Sequence, residues 1–140
     1  MKTVFIDTNI IISGTFFSGP EAELLSQSGL RLVTADVCKE ELLKVTREKF
    51  DQFGSETSRV AVKEVEKSLI DIDFIPKEEY AQELEKAKTL INGENDRRIL
   101  AAALYVKPDY FITGDKDFQS EEIQNILPMK STRKVLEELE

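Results

Sequence analysis

The chain has 140 residues, 27 acidic and 19 basic, with a net charge of −8, no histidine and one cysteine. That length suits a single domain, 1–140, able to bury a core without staples. The acidic balance excludes a simple basic nucleic-acid-binding domain, and the lone Cys38 excludes an internal disulfide.

The N-terminus lacks a basic region followed by a long apolar core, and no apolar run approaches a membrane span. A soluble cytoplasmic protein with no membrane partner is expected, and the lone cysteine fits a reducing compartment. Cys38 has no histidine to activate it and reads as a small core residue.

Thr3–Ile6 (TVFI) predicts a first strand. After a loop, Ser18–Ser28 predicts a short helix with Pro20 in its first turn. Leu30–Thr34 (LRLVT) predicts a second strand, and Asp36 an N-cap for a helix running to about residue 50. A further helix covers roughly residues 56–69. Ile70–Ile75 alternates polar and apolar, as a strand near a sheet edge does. Pro76 opens a helix to about residue 91, with Tyr80, Leu84, Ala87 and Ile91 at helical spacing, and Asn92-Gly93 ends it. Asn95–Val106 is a small-residue helix with Ile99, Leu100, Ala102 and Ala103 facing inward. Asp109–Thr113 (DYFIT) is a strand, IQNILP a shorter last strand, and Ser131 caps a final helix. Strands alternating with helices predict a parallel sheet covered on both faces, with ligands bound beyond the carboxyl ends of its strands.

Several carboxylates fall where that rule points. Asp7 follows the first strand inside VFIDTNIII, where a buried carboxylate is costly unless it is paired, hydrogen-bonded or metal-bound. It reads as a turn acceptor or as a functional acid, braced by Thr8 and Asn9. Glu40 has Lys44 at i+4 and reads as a solvated face. Glu41 lies beside the apolar stripe of Val37 and Val45. Asp96 suits the helix macrodipole, yet it shares a face with Ile99, Leu100 and Ala103. Glu94 can pair on the outside with Arg97 and Arg98. Asp115 and Asp117 follow the DYFIT strand, and point to one side if the chain stays extended. Acids from four segments at one edge share protons or hold hard cations. Without histidine, Mg²⁺ or Mn²⁺ fits better than zinc, and such a site serves phosphoryl chemistry.

FIDTNIIIS, LVTADVCKEEL, ENDRRILAAAL and DYFITGDKDF, in this order and spacing, resemble the PIN-domain family over essentially the whole chain. The resemblance implies a three-layer α/β/α sandwich with a mainly parallel sheet. It implies an endoribonuclease that cuts RNA with Mg²⁺ or Mn²⁺ and an activated water. The family's acids fall on Asp7, Glu41, Asp96 and Asp115, with Asp117 as the further acid. The metal set is then Asp7, Asp96, Asp115 and Asp117. Thr113 matches the hydroxyl residue before the last motif, and Asn9 the polar residue beside the first aspartate. Small relatives include toxins inhibited by an antitoxin partner, and others mature ribosomal RNA.

The rival within this fold is a catalytically inactive PIN-like module that binds RNA or protein. A haloacid-dehalogenase-type phosphatase would need an acid where Asn9 stands. A receiver domain would need a phosphorylatable aspartate and a late lysine that do not fall into place. Among Lys39, Arg97, Arg98, Lys116 and Lys130, Arg97 and Lys116 rank first for RNA contact because they flank proposed ligands. The Phe16–Phe17 pair, in a glycine-bounded loop, is a candidate homodimer interface or lid.

Overall fold

A computed structural model describes residues 1–139. Its centre is a four-stranded parallel sheet in the order β3-β2-β1-β4, from β1 (Lys2–Ile6), β2 (Leu30–Ala35), β3 (Ile72–Ile75) and β4 (Tyr110–Ile112). Phe5 lies opposite Val33 on one side and Phe111 on the other, so β1 is hydrogen-bonded along both edges. Val4, Phe5 and Ile6 are fully buried, as expected of a strand covered on both faces. β3 is an edge strand, and its outward Asp73 pairs with Arg31 of β2 at 2.9 Å.

Alternation along β1 splits the core in two. Phe5 packs with Phe111, Tyr80, Ala87, Phe118, Ile123 and the 99–104 run. These come from α5 (Lys77–Tyr80), α6 (Leu84–Leu90), α7 (Glu94–Val106), the turn at 116–118 and α8 (Glu121–Ile126). Val4 and Ile6 point the other way, onto Ile10, Ile11, Leu24, Leu42, Val65 and Val135. That layer holds α1 (Thr8–Phe16), α2 (Pro20–Leu25), α3 (Val37–Phe50), α4 (Ser55–Leu69) and α9 (Thr132–Glu138). The expected three-layer α/β/α arrangement results.

Three local expectations are corrected. The segment after Asp7 is the helix α1, not a loop. Asp7 caps it by accepting from the Ile10 N–H at 3.1 Å, and burial of Ile10, Ile11 and Ile12 outweighs their β-branched preference. Phe16 therefore ends a helix, and its ring packs 5.1 Å from that of Phe50, while Phe17 stays exposed. The helix expected over residues 76–91 breaks into α5 and α6 through a 3₁₀ turn at Ala81–Glu83. The break begins at Tyr80, where φ −100° and ψ 2° leave the helical region. IQNILP is not a strand. Ser120 accepts from the Ile123 N–H at 3.2 Å and starts α8, and an isolated bridge between Phe111 and Met129 follows it.

β1 and β4 are neighbours although 104 residues separate Ile6 from Tyr110 in the chain, and β2 leaves β1 on the opposite side. Strand order thus reverses between β1 and β4, which opens a crevice at their carboxyl ends.

Candidate active site

Asp7 stands at this crevice. Its residue is 4% exposed, and its second carboxylate oxygen accepts the Thr113 hydroxyl. Burial pushes its carboxyl up from the ordinary 3.8 to about 6; the charge of Asp115 adds to this, while the bonds from Thr113 and Ile10 oppose it. Thr113 also accepts from the Asp115 backbone N–H at 3.0 Å, so one hydroxyl ties the end of β1 to the loop after β4. The side-chain brace on Asp7 is therefore Thr113. Thr8, expected to help, is buried with a hydroxyl that has no hydrogen-bond partner, and Asn9 is exposed and acts on Asp7 only through its backbone N–H.

Asp115 caps the short 3₁₀ turn Lys116–Phe118 by accepting from the Asp117 N–H at 2.9 Å. The chain is not extended here, so a turn rather than strand alternation brings the two acids together. Phe118, buried against Phe111 at 5.7 Å between ring centres, anchors that turn to the core.

Asp96 lies in the first turn of α7 and is half-buried. One carboxylate oxygen each of Asp96, Asp115 and Asp117 lies within 4.8 Å of the others. Burial raises the Asp96 carboxyl above its ordinary value, with further push from the charges of Asp115, Asp117 and Glu41. Glu41 is half-buried on α3 and accepts from the Asn95 side-chain amide at 3.3 Å, whereas Glu40 is exposed. The structure thus gathers Asp96, Asp115 and Asp117, with Asp7 and Glu41 within electrostatic reach. Bare, these charges repel; a hard divalent cation with oxygen ligands relieves them. Cys38 is fully buried, and burial holds its thiol up at about 11, so it offers neither a thiolate ligand nor a nucleophile.

The basic residues divide differently from expectation. Lys116 is exposed beside Asp115 and Asp117. Arg97 donates its Nε to the Ile91 carbonyl at 3.0 Å, which anchors the loop before α7. Arg98 turns inward to Asp36 instead of pairing outside with Glu94. Sequence reading missed that contact, because Asp36 explains itself locally as a helix cap and its partners lie 44 and 62 residues away.

A family model of the PIN domain matches residues 5–140. The chain belongs to the PIN-domain family. Solved structures with this PIN fold include VapBC-1 from nontypeable Haemophilus influenzae, 27% identical with a TM-score of 0.67, covering 94% of this chain and 98% of that one. VapBC2 from Rickettsia felis, bound to a DNA fragment from its promoter, is 18% identical with a TM-score of 0.65, over 92% and 98%. A toxin–antitoxin complex from Klebsiella pneumoniae is 18% identical with a TM-score of 0.57, over 92% and 97%. A comparison with curated protein sequences finds no match. No helix among the described residues of this PIN chain is long and apolar enough to cross a membrane.

Proposed function

We propose that the protein is a divalent-metal-dependent endoribonuclease. The observation that carries this is the convergence of Asp96, Asp115 and Asp117 oxygens within 4.8 Å at the sheet's switch point, in a chain of the PIN family. The donor set fits Mg²⁺ or Mn²⁺: carboxylate oxygens, with no imidazole in the chain and the thiol buried. Asp7, Asp96, Asp115 and Asp117 would hold the ion. Bound there, it would neutralise phosphate charge and favour ionisation of water.

The chain's own groups have separable tasks. Thr113 favours the ionised form of Asp7, offsetting part of the effect of burial, and sets its orientation. The Asp115 turn presents two carboxylates from a rigid, Phe118-anchored base. Glu41, held at Oε2 by Asn95, offers Oε1 to take a proton from water as water attacks phosphorus and the bond to the leaving oxygen breaks. Lys116, exposed beside Asp115 and Asp117, would meet an RNA phosphate.

The likeness to VapBC assemblies supports a toxin role, with an antitoxin protein as the partner that covers the site. Incubation with varied RNAs in Mg²⁺ or Mn²⁺ tests the enzyme reading. Cleavage that EDTA and Asp96→Asn both abolish supports it. RNA binding without cleavage under all these conditions replaces it with an inactive PIN-like binding module. Growth arrest on expression, lost in Asp96→Asn, tests the toxin role.

A further inference from the structure

Asp36 carries more than a helix cap needs. Its Oδ1 accepts from the Val37 N–H at 2.8 Å, from the Tyr80 hydroxyl and from Arg98 Nη2 at 3.1 Å. Its Oδ2 accepts from the Lys77 N–H at 3.1 Å and again from Arg98 Nη2 at 3.2 Å. Arg98 Nε donates to the Tyr80 oxygen at 2.9 Å, which closes a three-membered ring of side chains. The Asp36 N–H donates in turn to the Ile75 carbonyl at 3.0 Å.

The surroundings make these bonds count. Tyr80 is fully buried, and the side chains of Asp36 and Arg98 are 32% and 25% exposed. A charge-assisted contact in such a place, with the Arg98 fork dividing Nε to Tyr80 and Nη2 to Asp36, is stronger and more directional than an exposed ion pair. A cap alone would need only the Val37 N–H. The extra donors come from two other elements: Lys77 and Tyr80 at the two ends of α5, and Arg98 in α7.

The positions of these elements give the network its meaning. Asp36 starts α3, which carries Glu41 five residues on. Arg98 lies on α7 two residues after Asp96. The second polar link between the same helices is the longer Asn95–Glu41 contact, made by the acid itself. Two acids of the site thus ride on helices that Asp36, Tyr80 and Arg98 link directly.

We infer that Asp36, Tyr80 and Arg98 are positioning residues that hold the proposed ligand Asp96 at its separation from Glu41, and so tune the site for its cation. This rests on the metal-site reading of the acids. Outer groups that orient metal ligands typically change affinity by about 10- to 100-fold when removed. Arg98→Gln should fall in that range for Mn²⁺. Tyr80→Phe, which keeps the ring and the Asp36–Arg98 bonds, should lose less. Arg98→Lys keeps the charge without the fork and should recover part of the loss.

The experiment is calorimetric titration of Mn²⁺ into the full chain and these variants. Urea denaturation in EDTA is run beside it, together with a crystal structure of Arg98→Gln in EDTA. Weakened Mn²⁺ binding in a variant still folded by denaturation, with an altered Glu41–Asp96 separation, supports the inference. Lower stability with unchanged Mn²⁺ affinity and an unmoved Glu41–Asp96 pair overturns it, leaving a purely structural lock. If wild type takes up no Mn²⁺, the metal reading fails. The crystal structure then decides the positioning claim by itself: a shifted pair upholds it and an unmoved pair overturns it.

Discussion

Thr113 donates its hydroxyl to Asp7, 106 residues away in sequence, and accepts from the backbone of Asp115 with the same oxygen. This one side chain fixes both ends of the crevice between β1 and β4. It also opposes the burial that pushes the Asp7 carboxyl upward. Thr113→Val keeps the shape and removes the bond. A hydrogen bond to a charged group contributes about 1.5–3 kcal/mol. Mn²⁺ affinity at pH 7 should therefore fall about 10- to 100-fold, and Thr113→Ser should restore most of it. Titration of the three proteins checks this; equal affinities would remove Thr113 from the site.

Asp7 makes the folded protein sensitive to pH without any metal. Its folded carboxyl titrates near 6 against an ordinary 3.8, so folding favours the protonated form. The associated stability is present in full below pH 3.8 and is lost as pH rises through 6. A shift of this size corresponds to about 2–3 kcal/mol. In EDTA, Asp7→Asn should gain on wild type by that order between pH 4 and pH 7, while cleavage disappears. Paired urea melts at the two pH values isolate the Asp7 contribution from the general effect of the chain's acidic charge. A constant stability difference between the two proteins would show that Asp7 is not held in the way its burial implies.

Metal addition should act in the opposite direction. Burial raises the Asp96 carboxyl, and an ion among Asp96, Asp115 and Asp117 relieves the repulsion that adds to it. At about 100 times the dissociation constant, binding adds roughly 2.7 kcal/mol to stability. Wild type should melt higher in Mg²⁺ or Mn²⁺ than in EDTA, and Asp96→Asn should lose most of the rise. An identical rise in both proteins would place the ion elsewhere.

The two candidate RNA contacts should now behave differently. Lys116 is exposed, so Lys116→Ala should weaken RNA binding and reduce the salt slope by about 0.7 for a single-stranded ligand. Arg97 has its Nε committed to the Ile91 carbonyl. Arg97→Ala should lower stability through the loop before α7, with a smaller change in slope. Binding isotherms at several salt concentrations test both, and an unchanged slope in Lys116→Ala would take that residue out of the interface.

What was legible in the sequence follows the range of the forces involved. β1, β2 and β4 were readable because buried parallel strands are runs of apolar residues. Asp7, Asp96 and Asp115 were readable as a group because each follows a strand or opens a helix, and the resemblance joined them. The register of α1 was not. VFIDTNIII is β-branched on both sides of Asp7, and only the cap bond and the burial of three isoleucines reveal a helix there. Residues 76–91 show the same limit. Their apolar spacing is helical throughout, but the break at Tyr80 accompanies a hydrogen bond to Asp36, 44 residues earlier. Arg98 had a plausible local partner in Glu94 and takes a distant one.

Gly14 offers a test of packing rather than chemistry. It lies on α1 where α2 crosses closely. A Cβ there would stand 2.3 Å from Leu25 Cδ1 and 2.9 Å from the Glu21 carbonyl oxygen. The leucine end can rotate, but the carbonyl belongs to the backbone of α2 and cannot move alone. In an unstrained helix, alanine would be favoured over glycine by about 1 kcal/mol. Here the clash should dominate, because overpacking costs about 1–3 kcal/mol. Gly14→Ala should therefore lower the urea midpoint while Mn²⁺ affinity stays within a few-fold of wild type, since α2 supplies none of the acids. A stabilised Gly14→Ala protein would mean that α2 moves aside readily, and that the close approach of α1 and α2 is not fixed by Gly14.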